Sequence, residues 1–263
     1  MYAFELHHAK SVADAAAMLG KTGGRPLAGG QSLVAAMKLR LAQPGHVVDL
    51  SGVPELKGIH KEGDTLVIGA MSRHAEVAVS DIVKSAIPAL AALAEGIGDR
   101  QVRNMGTLGG SIANNDPAAD WPAAALALDA TIVTSKRKIH ADAFFTGMFE
   151  TALGADEVIV SVSFPLPRKA AYAKFPNPAS RFALVGVFVA QTAAGVRVAV
   201  TGAASKVFRC KPIEDALAKS WSSAAAKAVK VDAHGLNADL HGSPAYRAHL
   251  VSVMAARAVD AAR

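Results

Sequence analysis

Residues 96–122, GIGDRQVRNMGTLGGSIANNDPAADWP, constrain this chain more than any other stretch. Five glycines and six Asp or Asn residues break every apolar period of 3.6 or 2, which predicts a long ordered loop with a short helix start inside it. A loop of that length within a compact domain generally binds something. Its segment GTLGGS, residues 106–111, offers successive backbone N–H groups with no Cβ at Gly109 and Gly110, so the main chain can come close to an oxyanion. A smaller loop of the same chemistry, PLAGGQSL at 26–33, precedes it by some eighty residues. There Gly29 and Gly30 lead through Gln31 and Ser32 into an apolar helical run. Two anion cradles point to a ligand with two phosphates.

At 263 residues, 51% hydrophobic and 19% charged, the chain can bury an ample core and is expected to form two domains. Its single cysteine, Cys210, excludes an intrachain disulfide, a four-cysteine zinc site and an iron–sulfur cluster held by this chain alone. The net charge of +6 comes from scattered residues and aromatics make up only 5%, so a solvated mixed surface is expected and no nucleic-acid groove. With no leader-like start and no apolar run of membrane-spanning length, the expectation is a cytoplasmic protein without a transmembrane segment.

Taken in order, residues 2–7 read as a strand. Ser11 caps a helix with Asp14 as its partner, and Gly20 is expected to end it. A strand at 25–28, a helix at 33–41 and a strand at 46–50 complete a small α/β unit. The GKT within LGKTGG lacks the earlier glycine of a phosphate loop. GIGDRQ lacks the third glycine of the dinucleotide fingerprint and follows a helix, so neither motif is operative. A hairpin (56–60 with 65–70), helices at 75–79 and 88–95, a helix capped by Asp120 and a hairpin at 131–140 follow. Phe144, Phe145 and Met148 read as core, and 157–164 as the strongest strand. Beyond Pro165 come a hairpin of 183–191 with 196–203 and two Ala-rich helices, near 221–229 and 245–262. The expected division is 1–165 (subdomains of about 1–53 and 54–165) and 166–263. No acid–base dyad, catalytic residue or metal site is evident. None of the nine histidines forms H-E-x-x-H, and His7 and His8 would point to opposite faces of a strand.

The two loops together, PLAGGQSLVAAMKLRLAQP and RNMGTLGGSIANNDPAADWPAA, resemble the FAD-binding medium subunits of the molybdenum hydroxylases, the aerobic carbon monoxide dehydrogenase and xanthine dehydrogenase type enzymes. The resemblance extends over nearly the whole chain, including KFPNPASRFALVGV. It implies an α+β protein: a vanillyl-alcohol-oxidase-type FAD-binding domain of two α/β subdomains, then a small C-terminal α+β domain. By position, Ala28, Gly29, Gly30, Gln31, Ser32 and Leu33 would hold the pyrophosphate of a noncovalent FAD in the first loop. Thr107, Leu108, Gly109, Gly110 and Ser111 match the second cradle, and Asp120, Ile159 and Lys174 match single contacts. Each of the three also has a plainer reading, Asp120 as an N-cap, Ile159 as core and Lys174 as a solvated lysine, with the cofactor contact favoured. The chain departs from the common family wording at Ala35 and at Asn114 and Asn115.

The resemblance further implies one part of an electron relay. A large subunit would carry the molybdenum-pterin cofactor and a small subunit the 2Fe-2S clusters, in a dimer of heterotrimers. FAD in this chain would pass electrons to an external acceptor. The substrate classes are carbon monoxide, purines and other N-heterocycles, or aldehydes. Two alternatives stand beside this: a self-sufficient flavin oxidoreductase of the same fold, and a cofactor-free scaffold subunit whose Gly-rich loops are only turns.

Overall fold

The computed structural model describes residues 1–263. Its first part is a parallel unit: β1 (Glu5–His8), α1 (Val12–Thr22), β2 (Arg25–Leu27), α2 (Leu33–Lys38) and β3 (His46–Asp49), with sheet order β1-β3-β2. The Ser11 hydroxyl accepts the Asp14 N–H and caps α1, as the sequence predicts. The helix runs past Gly20 and ends at Gly23, whose φ of 63° suits a C-cap that a side chain would strain. Ala15 and Leu19 pack on Val48 and Leu50. α2 is shorter than expected, because the chain leaves it through Arg40 at φ 60° and turns Leu41 out to 79% exposure.

The second part is an antiparallel sheet of five strands. β4 (Ile59–Glu62) and β5 (Thr65–Gly69) form a hairpin, and six helices then cross over it: α3 (His74–Val79), α4 (Asp81–Ala86), α5 (Pro88–Glu95), α6 (Arg100–Met105), α7 (Leu108–Asn114) and α8 (Trp121–Ala127). β6 (Thr131–Thr134), β7 (Lys138–His140), α9 (Ala141–Phe144), a ribbon of β8 (Phe145–Gly147) and β9 (Glu150–Thr151), and β10 (Ile159–Pro165) complete it in the order β4-β5-β10-β6-β7. The strongest predicted strand is thus the central one.

Two expectations are corrected here. Residues 96–122 are largely helical: Asp99 accepts the Val102 N–H at 2.8 Å to start α6, and Thr107 accepts the Gly110 N–H at 3.1 Å to start α7. Side-chain caps supply helix starts that apolar periodicity does not display. Met148 is 54% exposed at the tip of the β8–β9 ribbon, while Phe144 and Phe145 are buried.

The third part is an antiparallel sheet, β11 (Lys169–Pro176), β12 (Ala183–Thr192), β13 (Gly195–Thr201) and β14 (Phe208–Arg209), with α10 (Lys211–Lys219), α11 (Ser223–Ala228) and α12 (Pro244–Ala261) on one face. Val185, Val187 and Val189 of β12 face those helices, and the alternate residues Phe188 and Ala190 join the core of the five-stranded part. Burial on both faces explains the unbroken apolar run of this strand. The sequence did not separate β11 or α10 from their surroundings. No helix is long and apolar enough to cross a membrane.

Candidate functional site

The fold brings the two glycine loops into contact. A Cβ on Gly29 would lie 2.0 Å from the Met105 carbonyl oxygen and 2.8 Å from the Gly106 Cα, so only glycine lets the first loop press against the second. Gly30 sits at φ 72°, turning the chain from β2 into α2. None of the N–H groups of Ala28, Gly29, Gly30, Gln31, Ser32 and Leu33 donates a hydrogen bond within the chain. Six consecutive unpaired donors on a partly exposed loop are the kind of groups that a polyanion's oxygens can accept from.

The second loop has a different role. The N–H groups of Leu108 and Gly109 donate to the carbonyls of Ser72 and Ala70, at 3.0 and 2.8 Å. Those of Gly110 and Ser111 donate to the Thr107 hydroxyl and carbonyl. The expected run of free donors is therefore largely engaged, with Thr107 alone retaining an unpaired N–H. A Cβ on Gly109 would meet the Cβ of Ala70 at 2.5 Å, so this glycine serves close packing of α7 on the end of β5. What the second loop offers a ligand is a rigid wall, with the Ser111 side chain at its partly exposed edge.

His74 and Trp121 hold that wall, and sequence reasoning missed His74. The His74 N–H donates to the Gly106 carbonyl at 2.9 Å, and its Nδ1 accepts the Trp121 Nε1–H at 3.1 Å. Burial, with help from the nearby Arg103 charge, pushes the His74 pKa down to about 4, so the ring is neutral at pH 7. With Nδ1 accepting, the remaining ring proton lies on Nε2, close beneath Gly106. A lone histidine beside Arg73 carries no pattern that a sequence reader could use.

Asp120 and Lys174, predicted as separate contacts, form one buried pair. Lys174 Nζ lies 3.0 Å from Asp120 Oδ1 and donates to the Gly96 carbonyl at 2.8 Å. The Tyr172 hydroxyl donates to Asp120 Oδ1 at 2.5 Å. A Cβ at Gly186 would collide with that hydroxyl at 2.1 Å, so Gly186 makes the room it needs. Burial raises the Asp120 pKa, opposed by the Lys174 charge and the Tyr172 hydrogen bond. Burial and the Asp120 carboxylate together push Tyr172 well above its usual value. Asp120 makes no side-chain cap to α8, and Lys174 is not solvated. Ile159 is buried in the core at 4% exposure. The carbonyl of its neighbour Val160 accepts the N–H of Ala70, the residue against which Gly109 packs. Cys210 is buried in the C-terminal core, where burial raises its thiol pKa.

Residues 2–167 match the family model described as FAD binding domain in molybdopterin dehydrogenase. The carbon monoxide dehydrogenase medium chain of Hydrogenophaga pseudoflava is 37% identical over 98% of this chain and 96% of its own. The nicotine 6-hydroxylase medium subunit of Paenarthrobacter nicotinovorans is 38% identical over 89% of this chain and 87% of its own. A solved carbon monoxide dehydrogenase from H. pseudoflava superimposes with a TM-score of 0.90 at 38% identity, covering 99% of this chain and 97% of that one. The fold is that of a flavoprotein subunit of an oxidoreductase. The chain belongs to the FAD-binding medium subunits of the molybdenum hydroxylases.

Proposed function

We propose that this chain is the electron-transfer subunit of a molybdenum hydroxylase, taking electrons from iron–sulfur clusters of a small partner subunit and passing them through FAD to an external acceptor. The molybdenum-pterin cofactor and the substrate pocket belong, on this reading, to a large partner subunit, in a cytoplasmic dimer of heterotrimers. The observation that carries it is the row of six unpaired N–H groups at Ala28–Leu33, pressed by Gly29 against the wall at Met105 and Gly106. These donors suit a pyrophosphate, which they would hold by backbone alone. Gly110 of the second loop lies against Ala28 of the first, a Cβ there standing 3.6 Å from the Ala28 Cβ, and the Asp120–Lys174 pair ties the 166–263 region to the FAD-binding part, 1–165. When bound, FAD supplies both one-electron and two-electron redox chemistry. The residues of this chain bind and orient it.

Relatives that align with most of this chain at 37% and 38% identity are named for carbon monoxide and for nicotine, which supports placing substrate choice outside this subunit. Carbon monoxide, an N-heterocycle or an aldehyde is the substrate class of the complex.

The test is an absorption spectrum of the purified chain before and after adding FAD, with acid release of the chromophore. The expected result is flavin bands, release of intact FAD, and no bands in a Gly29→Val variant. A folded, colourless chain that cannot be reconstituted would return both loops to the scaffold reading. Oxidation of an organic substrate by the chain alone would favour the self-sufficient oxidoreductase.

A further inference from the structure

We propose that Glu5, His7 and His46 form a binding site for a divalent first-row transition metal, with Zn2+ the physiological candidate, that clamps the N-terminal strand to its neighbour. The parallel register sets Glu5 beside His46, and residues two apart on β1 share a face, so His7 joins them. His7 Nε2 and His46 Nδ1 are 3.1 Å apart, His46 Nδ1 and Glu5 Oε2 3.4 Å, and His7 Nε2 and Glu5 Oε2 3.9 Å. Tetrahedral zinc with bonds of about 2.0–2.1 Å spaces its ligand atoms by about 3.3 Å. The three donors therefore already lie close to the triangle such an ion requires, before any side chain turns.

Two histidines and one carboxylate are also a suitable donor set for this class of ion: borderline nitrogen ligands, one negative charge, and an open side for water. His7 and His46 are partly shielded, at 27% and 35% side-chain exposure, and Glu5 reaches in from the rim at 73%. Gly24 keeps the space beside His46 clear, since a Cβ there would stand 3.1 Å from the His46 Cβ.

A second cluster of similar composition shows what a closed alternative looks like. Asp129, His140 and Asp142 also converge, but Arg197 pairs with Asp129 at 2.6 Å and with Asp142 at 2.7 Å. Its carboxylates are already neutralised by a guanidinium. Glu5 pairs with no lysine or arginine, only with the two imidazoles. The site also stands apart from the flavin loops. Glu5 and His46 open their strands, whereas the Ala28–Leu33 loop leaves the far, C-terminal end of β2 in the same parallel sheet. In the sequence alone His7 and His8 diverge and no metal site is evident; only strand register shows that His7 meets His46.

The experiment is titration of untagged chain with Co2+, followed by displacement with Zn2+. Expected are visible ligand-field bands of a low-coordinate site that saturate at one ion per chain and vanish on adding Zn2+. His7→Gln and His46→Gln should each weaken binding by about tenfold or more, at least the loss seen when an outer-shell partner is removed. His140→Gln should leave it unchanged. Circular dichroism and flavin content should stay as in the parent for all three variants, which separates a lost site from a lost fold and from a lost cofactor. Absence of one-to-one binding in the parent chain, or binding that survives both His7→Gln and His46→Gln, would overturn the proposal.

Discussion

Asp120 and Lys174 meet 3.0 Å apart across the seam between the start of α8 and the first strand of the C-terminal sheet, with side chains 6% and 11% exposed. Breaking a buried pair by removing one partner leaves a desolvated charge and costs about 3–5 kcal/mol, whereas replacing both with neutral groups of similar shape costs far less. Asp120→Asn and Lys174→Met should each lower the melting temperature strongly, and the double variant should recover much of the loss. If the pair also contacts the cofactor, the recovered double variant will still show a reduced flavin-to-protein absorbance ratio. Full recovery of both readouts would confine the pair to a structural role.

The two loops should respond differently to a single methyl group. Gly30→Ala places a side chain at φ 72°, at a cost of about 1 kcal/mol, beside the unpaired donors of the first loop. Flavin content should fall while the fold survives. Gly109→Ala pushes into Ala70 and should cost about 1–3 kcal/mol of stability, measurable by denaturant midpoint even without FAD.

His74 makes stability depend on pH in a defined window. In the unfolded chain it gains a proton below its usual 6.5, but in the folded chain only near 4. Between those values the unfolded state binds more protons, so stability is fully present above pH 6.5 and falls as pH drops toward 4. The loss is up to about 3 kcal/mol from this one group. His74→Gln retains an acceptor for Trp121 and does not titrate. Its denaturant midpoint should fall less between pH 7 and pH 4.5 than that of the parent.

Glu157 should act lower on the pH scale. Burial alone would raise its pKa, but hydrogen bonds from Arg137, Thr134 and the Gly154 N–H overcome this and bring it down to about 2. Its contribution is present above pH 4.5 and lost as pH falls toward 2. Glu157→Gln should therefore destabilise the chain at pH 7 and flatten the loss of stability between pH 4.5 and pH 2 in acid titrations.

What the sequence revealed follows what single residues can signal. The glycine loops were legible because only glycine permits such backbone approach. The hairpins and central strand were legible because their apolar runs are punctuated by Gly and Pro. The helices α6 and α7 were not, since their starts depend on the hydroxyl of Thr107 and the carboxylate of Asp99 finding N–H partners. His74 was illegible because its role exists only once Trp121, forty-seven residues on, stands beside it. Met148 reads as apolar core in a sequence, and the turn of a two-stranded ribbon places it outside. The pairing of Asp120 with Lys174 arises from two parts of the chain that share no local pattern.

The contrast between the two loops bears on how this protein could decay through evolution. Gly109 is held by its neighbours in the fold, so a side chain there costs any descendant stability whether or not it carries a flavin. In the first loop Gly29 carries the same obligation toward Met105 and Gly106, but the N–H groups of 28–33 have no partner within the fold. A lineage that abandoned the cofactor could let positions 28 and 31–33 drift while Gly29, Gly30 and the second loop stayed intact, and that asymmetry would mark the chain as a former flavoprotein.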